Sequence, residues 1–357
     1  MVNNETPAGE PLRVGLIGFG LAGSVFHAPL ISTTPGLRLA AVVTSNPERT
    51  LEAQRGYEGV RVFETPEQLW ESAGDFDLVV VASPNRTHAP LARAALGAGL
   101  AVVVDKPLAA SAAEGRGLVE EAGRRGLLLT TFQNRRWDGD FLTLRGLLGR
   151  DGLGRVLRFE SRFERWRPRA KHGWRQSGAP EDAGGLLYDL GSHLIDQALI
   201  LFGPARRVYA ELGRPYPDVE TDNDTFVALE HDGGVRSHLW MSTVAAQPGP
   251  RFRVLGSEAA YTKFGLDVQE EALKRGGRPG DPGWGEEPEQ GWGLVGAEND
   301  LRPLRTEPGS YQSFYRGVVS ALRDGAAPPV DPAESVAALD VVEAARRSHA
   351  EGQTVSL

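Results

Sequence analysis

The 357-residue chain has no cysteine. That excludes disulfide staples, thiolate nucleophiles and cysteine-ligated metals, and it suits a reducing cytoplasm, where the protein is expected to reside. There is no excess of positive charge either. The formal net charge is −8, which argues against nucleic acid as the main partner, because a phosphate backbone calls for a basic surface. No apolar run is long enough to span a bilayer, and Met1 to Glu10 lacks the apolar stretch of a signal peptide. No membrane partner is therefore expected. What is present is ordinary in bulk: 41% hydrophobic and 24% charged residues, as in soluble globular proteins. The length exceeds the usual size of one core and predicts two domains.

The first part of the chain alternates strand-like and helix-like segments. Strands are expected at 14–17, 37–43, 60–63, 77–82, 101–104 and 127–132, and helices at 22–31, 47–54, 88–98 and 111–125. This rhythm predicts an α/β Rossmann domain over residues 1–134, a doubly wound parallel sheet with helices on both faces. Between the first strand and helix lies Gly18-Phe-Gly-Leu-Ala-Gly23. In that context Gly18 permits a tight turn, Gly20 lets the backbone approach a pyrophosphate, and Gly23 lets the helix pack on the strand. Gly18, Phe19, Gly20, Leu21 and Gly23 are therefore candidate cofactor-binding residues. The second strand runs into Thr44-Ser45-Asn46 with Arg49 beyond, and no carboxylate stands at its end. A hydroxyl and a guanidinium there suit a 2′-phosphate, so Ser45 and Arg49 predict NADP over NAD, with NAD still possible. The fourth strand ends Ala82-Ser83-Pro84-Asn85, followed by Arg86, Thr87 and His88. Ser83, Asn85 and His88 lie at the ligand-binding edge as further cofactor contacts, and Asn85 serves equally well as a helix cap.

The fifth strand is Ala101-Val-Val-Val-Asp-Lys-Pro107. Pro107 drives Lys106 into an extended conformation and places it at the carboxyl end of a buried parallel strand, where open α/β sheets bind ligands. Lys106 is either a ligand-facing lysine or an ordinary strand-end lysine paired with an acid.

From residue 135 the pattern changes. Strand-like segments at 155–165, 205–213, 224–231, 235–242, 251–256 and 259–263, with a hairpin turn at 232–234, predict an α+β domain over 135–357 built on a large, mostly antiparallel sheet. An aromatic and basic loop is expected at 166–178, a long loop at 276–296, and helices at 141–148, 311–322 and 332–348. The chemically suggestive stretch is 184–196. As a regular helix it sets Asp189 and His193 one turn apart, with Asp196 a turn beyond. An aspartate there can orient the ring of a general base. The other readings are a structural Asp–His bond or a metal half-site; no further ligands complete the latter, so no metal is expected.

These pieces together resemble the glucose–fructose oxidoreductase and inositol dehydrogenase family (Gfo/Idh/MocA) over nearly the whole chain. The resemblance rests on the glycine turn, Pro84-Asn85-Arg86-Thr87-His88, Asp105-Lys106-Pro107 in place of the usual Glu-Lys-Pro, Gly184-Gly185 with Asp189 and His193, and two closing helices. The stretch Phe132-Gln-Asn-Arg-Arg-Trp137, with Arg167-Pro168 and Trp174-Arg175, is similar to the NADP-preferring scyllo-inositol dehydrogenase branch. The resemblance implies a dehydrogenase acting on CH–OH groups, with hydride passing between NADP(H) and a polyol or sugar, and Lys106, Asp189 and His193 as the catalytic trio. Lys106, Asn134, Arg165, Arg167, His172, Trp174 and His193 are candidate substrate contacts near the domain junction. Two other readings stay open, a non-catalytic dinucleotide-binding sensor and a redox-assisted glycosidase. A large open sheet with one face to cover, and the family itself, imply a homodimer or homotetramer.

Overall fold

The computed structural model describes residues 9–169 and 173–357. Six strands open the chain: β1 (Leu12–Ile17), β2 (Leu37–Val43), β3 (Arg61–Phe63), β4 (Leu78–Val81), β5 (Ala101–Asp105) and β6 (Leu129–Phe132). They pair in parallel in the order β3-β2-β1-β4-β5-β6, the doubly wound order whose ligand crevice lies at the carboxyl ends of the strands. Between them run α1 (Ala28–Thr33), α2 (Pro47–Gly56), α3 (Pro66–Glu71), α4 (His88–Gly97) and α5 (Ala112–Arg125). Because the strands are buried on both faces they read as unbroken apolar runs: Val79 and Val81 face α4 and α5, while Leu78 and Val80 face α1.

The second sheet has nine strands: β7 (Val156–Glu164), β8 (Ala205–Gly213), β9 (Asp224–His231), β10 (Arg236–Ser242), β11 (Phe252–Gly256), β12 (Ala260–Lys263), β13 (Gly293–Ala297), β14 (Asp300–Leu304) and β15 (Val355–Ser356). Neighbouring strands pair antiparallel except β7 and β10, which are parallel. Helices α6 (Gly139–Leu148), α7 (Ser192–Phe202), α8 (Gln269–Lys274), α9 (Gln312–Asp324) and α10 (Pro332–Glu351) complete the domain. Strands β9 and β10 alternate up to Met241, with Val227, Leu229, Leu239 and Met241 buried beneath α7 and α10. On the opposite face Phe226, His238 and Trp240 stay partly exposed, with the Arg162 guanidinium 3.9 Å above the Trp240 ring.

The closing helices tie the halves together. Phe314, Tyr315 and Val318 of α9 are buried against Val14, Leu16, Val80 and Val103 of the first sheet. Helix α10 packs on α5 of the first domain and on α7 and β8 of the second.

Several elements differ from the sequence reading. The first helix begins as a π-helical turn (Ala22–His27) before α1. Helix α3 starts at a Thr65–Gln68 capping box, a legible signal in too short a segment to show periodicity. The expected loop at 276–296 gives way to β13 at Gly293, and β14 and β15 follow unanticipated. No helix among the described residues is long and apolar enough to cross a membrane.

Candidate active site

The glycine turn is shaped by three different constraints. Gly18 has φ +96°, and a Cβ there would stand 2.4 Å from the Ala82 carbonyl oxygen, so only glycine fits. A Cβ on Gly23 would stand 2.0 Å from the Gly18 carbonyl oxygen, which is how closely the helix start is drawn onto the turn. Gly20 is different: its Cβ would meet only Arg49 Nη1, at 3.9 Å. The backbone is thus bare where a pyrophosphate would approach, and the residues present fit a dinucleotide. Leu21 is 57% exposed and reaches the cleft, whereas the Phe19 ring is in the core, edge-on to Tyr57 at 6.4 Å; only the Phe19 backbone can serve a ligand. Ser45 and Arg49 are exposed, and Asn46 caps α2 by accepting from Arg49 N at 3.0 Å.

The next turn of the same edge is braced internally. Ser83 Oγ is 2.6 Å from Thr87 Oγ1. Asn85 Nδ2 donates to the Ala183 carbonyl at 3.2 Å, a contact with the second domain. The buried His88 ring lies between the carbonyls of Pro107 (2.7 Å) and Ser83 (2.9 Å). Burial lowers its pKa against the pull of Asp105 and these carbonyls. Asn85 and His88 therefore hold two sheet-edge turns in register.

Lys106 leaves the end of β5 and crosses to the second domain. Its Nζ donates to the Asp189 carbonyl at 2.5 Å and to Asp189 Oδ1 at 2.8 Å. Asp189 sits in a π-helical turn (Leu187–Gly191) that precedes α7, a distortion common at functional sites. Arg175 Nε is 3.7 Å from the same carboxylate oxygen. Burial alone would raise the Asp189 pKa, but Lys106, Arg175 and Arg165 outweigh it and hold the carboxyl far below the usual range. It is ionised throughout the physiological range.

His193, in the first turn of α7, is 5% exposed. Its Nδ1 donates to Gln133 Oε1 at 3.2 Å, which leaves Nε2 as the bare, basic nitrogen. Burial, reinforced by Lys106, Arg135 and Arg251, pushes its pKa well below that of a free imidazole. The expected Asp189–His193 bond is thus corrected: Asp189 belongs to Lys106, and Gln133, at the end of β6, holds the ring. The wider π turn removes the one-turn alignment a regular helix would give. Asp196 is likewise taken, by Arg136 Nε at 2.8 Å and Nη2 at 2.6 Å, and Arg136 reaches on to Glu334 of α10 at 2.6 Å.

A cavity of about 420 Å³ lies between the domains, lined by Leu21 and Ala22 of the glycine turn, by Asp105 and Lys106, and by Asp189 and His193. Asn134, Arg165, Arg167 and Trp174 also line it; His172 lies outside the described residues. Arg135, which the sequence did not single out, borders the cavity and pairs with Glu270 at 2.6 Å.

Comparison with known proteins matches both halves. Residues 12–133 match the family model described as "Oxidoreductase family, NAD-binding Rossmann fold", and residues 145–357 match "Oxidoreductase family, C-terminal alpha/beta domain". The chain is 40% identical over 336 residues to the uncharacterized oxidoreductase YdgJ of Escherichia coli, covering 94% of this chain and 95% of that protein. It is 33% identical over 352 residues to the scyllo-inositol 2-dehydrogenase (NADP(+)) IolW of Bacillus subtilis, covering 98% and 96%. Among solved structures, the putative oxidoreductase yvaA from Bacillus subtilis superposes with a TM-score of 0.92 at 32% identity, covering 98% of this chain and 99% of that one.

Proposed function

The chain belongs to the Gfo/Idh/MocA oxidoreductase family, and on that premise we propose that it moves a hydride between NADP(H) and a secondary alcohol or ketone of a polyol or sugar, with an inositol-like ring as first candidate. The observation that carries this reading is the meeting of Lys106, from the dinucleotide domain, with Asp189 beside a neutral, buried His193 in one cavity.

When bound, the dinucleotide accepts the hydride in oxidation and donates it in reduction. The chain supplies the proton and the charge. His193 Nε2 takes the hydroxyl proton, its low pKa keeping it unprotonated beforehand. Lys106 has three N–H donors, two of which are engaged by Asp189; the third is available to the substrate oxygen and stabilises alkoxide charge as it develops. Asp189 fixes the lysine in place and balances its charge. In reduction the same groups return the proton.

Ser45 and Arg49, with no carboxylate at the end of β2, support NADP over NAD. The name of the IolW relative points the same way. The partly exposed Phe226, His238 and Trp240 face of the large sheet supports a homodimer or homotetramer, and a monomeric mass by light scattering refutes it. The deciding assay follows nicotinamide absorbance with NADP and NAD across inositol isomers and simple sugars. Turnover with an NADP preference is expected, and a clear NAD preference overturns the cofactor assignment. A sensor gives no turnover, and a redox-assisted glycosidase releases aglycone with no net absorbance change.

A further inference from the structure

We infer that the substrate carries an oxyanion, a carboxylate or a phosphate, and that Arg165 and Arg167 on the second-domain wall of the cavity hold it. The inference rests on the proposed dehydrogenase reading and narrows its substrate class.

The charge around the cavity runs against the charge of the protein. The chain as a whole is formally −8, yet the cavity is lined by Lys106, Arg135, Arg165, Arg167, Arg169 and Arg175 against only Asp105, Asp189 and Glu270. The three acids are already engaged. Asp189 takes Lys106 and Arg175, Glu270 takes Arg135, and Asp105 accepts from Lys106 N at 2.9 Å and lies 3.7 Å from His27 Nε2. Among the described residues no carboxylate lies within ion-pair distance of Arg165 or Arg167.

The backbone holds these two arginines on one side. Beyond β7 the chain stays extended: Arg165 N bonds the Ser242 carbonyl at 2.9 Å, Arg167 N bonds that of Thr243 at 2.8 Å, and the Tyr216 hydroxyl donates to the Arg167 carbonyl. Residues two apart in an extended segment share a face. Arg165 and Arg167 therefore both turn to the cavity, while Trp166 between them is 62% exposed on the other side. The Arg165 guanidinium carbon lies 4.7 Å from the centroid of the Phe163 ring, a contact that holds the cation without neutralising it. Burial, followed by the charge of Arg167, lowers its pKa against the more distant pull of Glu270 and Asp189. Two guanidiniums on one face of a part-buried wall suit a carboxylate or a phosphate, which each can hold through its planar fork. A neutral polyol accepts hydrogen bonds from both but leaves their charge unbalanced in the cavity. Tyr216, Asn223 and Thr243, on the same wall, supply neutral partners for the hydroxyls.

The test uses matched pairs on the NADP-loaded protein: glucose against glucuronate, glucose against glucose 6-phosphate, and myo-inositol against an inositol monophosphate. Calorimetric binding and turnover are both recorded. At least tenfold tighter binding of one anionic member is expected, weakening as salt rises, and whether glucuronate or a phosphate ester gains identifies the anion. Arg165→Gln and Arg167→Gln should each raise Kd and KM for that compound at least tenfold with kcat changing less than about threefold and KM for NADP unchanged; Arg165→Lys should recover part of the loss. Equal or tighter binding of the neutral members overturns the inference, as does a defect of the Gln variants that falls on NADP. Turnover of neutral polyols alone would overturn it while leaving the dehydrogenase reading intact. Anion binding without hydride transfer to any compound would do the reverse.

Discussion

The two walls of the cleft are built by opposite means. On the first wall the ligand surface is mostly backbone, a glycine turn and the ends of parallel strands from which Lys106 alone reaches across to Asp189, while His88 is spent on the Pro107 and Ser83 carbonyls. On the second wall the surface is side chain: His193, Asp189 and the arginines, each aimed by a π-helical turn, an extended segment or an aromatic ring. The difference teaches where each kind of change will act. The backbone wall is damaged through conformation, and the side-chain wall through charge and protonation.

The largest expected effect is on the second wall. His193→Ala removes the proposed base, and kcat/KM should fall by about 10²–10⁴, with dinucleotide affinity near wild type by fluorescence titration. A fall below tenfold would move the base elsewhere. Next is the support behind that wall. Arg136→Met strands the buried Asp196 carboxylate and should cost about 3–5 kcal/mol in denaturant unfolding; a change under about 1 kcal/mol would mean the pair holds nothing. Third comes the backbone wall. Gly18→Ala forces a side chain into positive φ and against the Ala82 carbonyl, costing about 1–3 kcal/mol of stability and weakening dinucleotide binding while leaving the His193 ionisation alone. If the loss were in kcat only, the contrast between the walls would fail.

The smallest effect is a shift along the pH axis. On the proposed role of His193 as the neutral base, and with its pKa held below the ordinary imidazole value of 6.5, the acid limb of kcat/KM for oxidation should lie below pH 6.5. The sign for stability follows. The unfolded chain takes up this proton first, so the contribution of His193 is complete above pH 6.5 and is lost as pH falls below it. A limb centred at or above 6.5 would mean a solvated ring.

The same contrast explains what the sequence made legible. The backbone wall is written locally: a valine run stopped by Pro107, and glycines at a fixed spacing between strand and helix. Both the six-strand sheet and the position of Lys106 at its edge follow from such short-range signals. The second wall depends on who meets whom. Asp189 and His193 were recognisable as a pair of chemically apt residues, but the π turn that separates them and sends Asp189 to Lys106 is set by packing between domains. Gln133, in the stretch Phe132–Trp137, carries no local mark of its role in holding His193. The parallel pairing of β7 with β10 is of the same kind, since alternation declares a strand and is silent on its partner's direction. Strands β13 and β14 were masked by the Gly-, Pro- and Trp-rich composition around them.

The placement of α9 has a consequence for how the protein is made. Tyr311, Phe314, Tyr315 and Val318 are fully buried, and they cover one face of a sheet whose strands end at Phe132. In a nascent chain the face that carries Val14, Leu16, Val80 and Val103 has only α1 to cover it until some 180 further residues have emerged, about 10–40 s at ordinary elongation rates of 5–20 residues per second. The dinucleotide half, although first in sequence, completes its core only with α9, and a fragment ending before α9 should expose more apolar surface, read as stronger dye binding, than the whole chain.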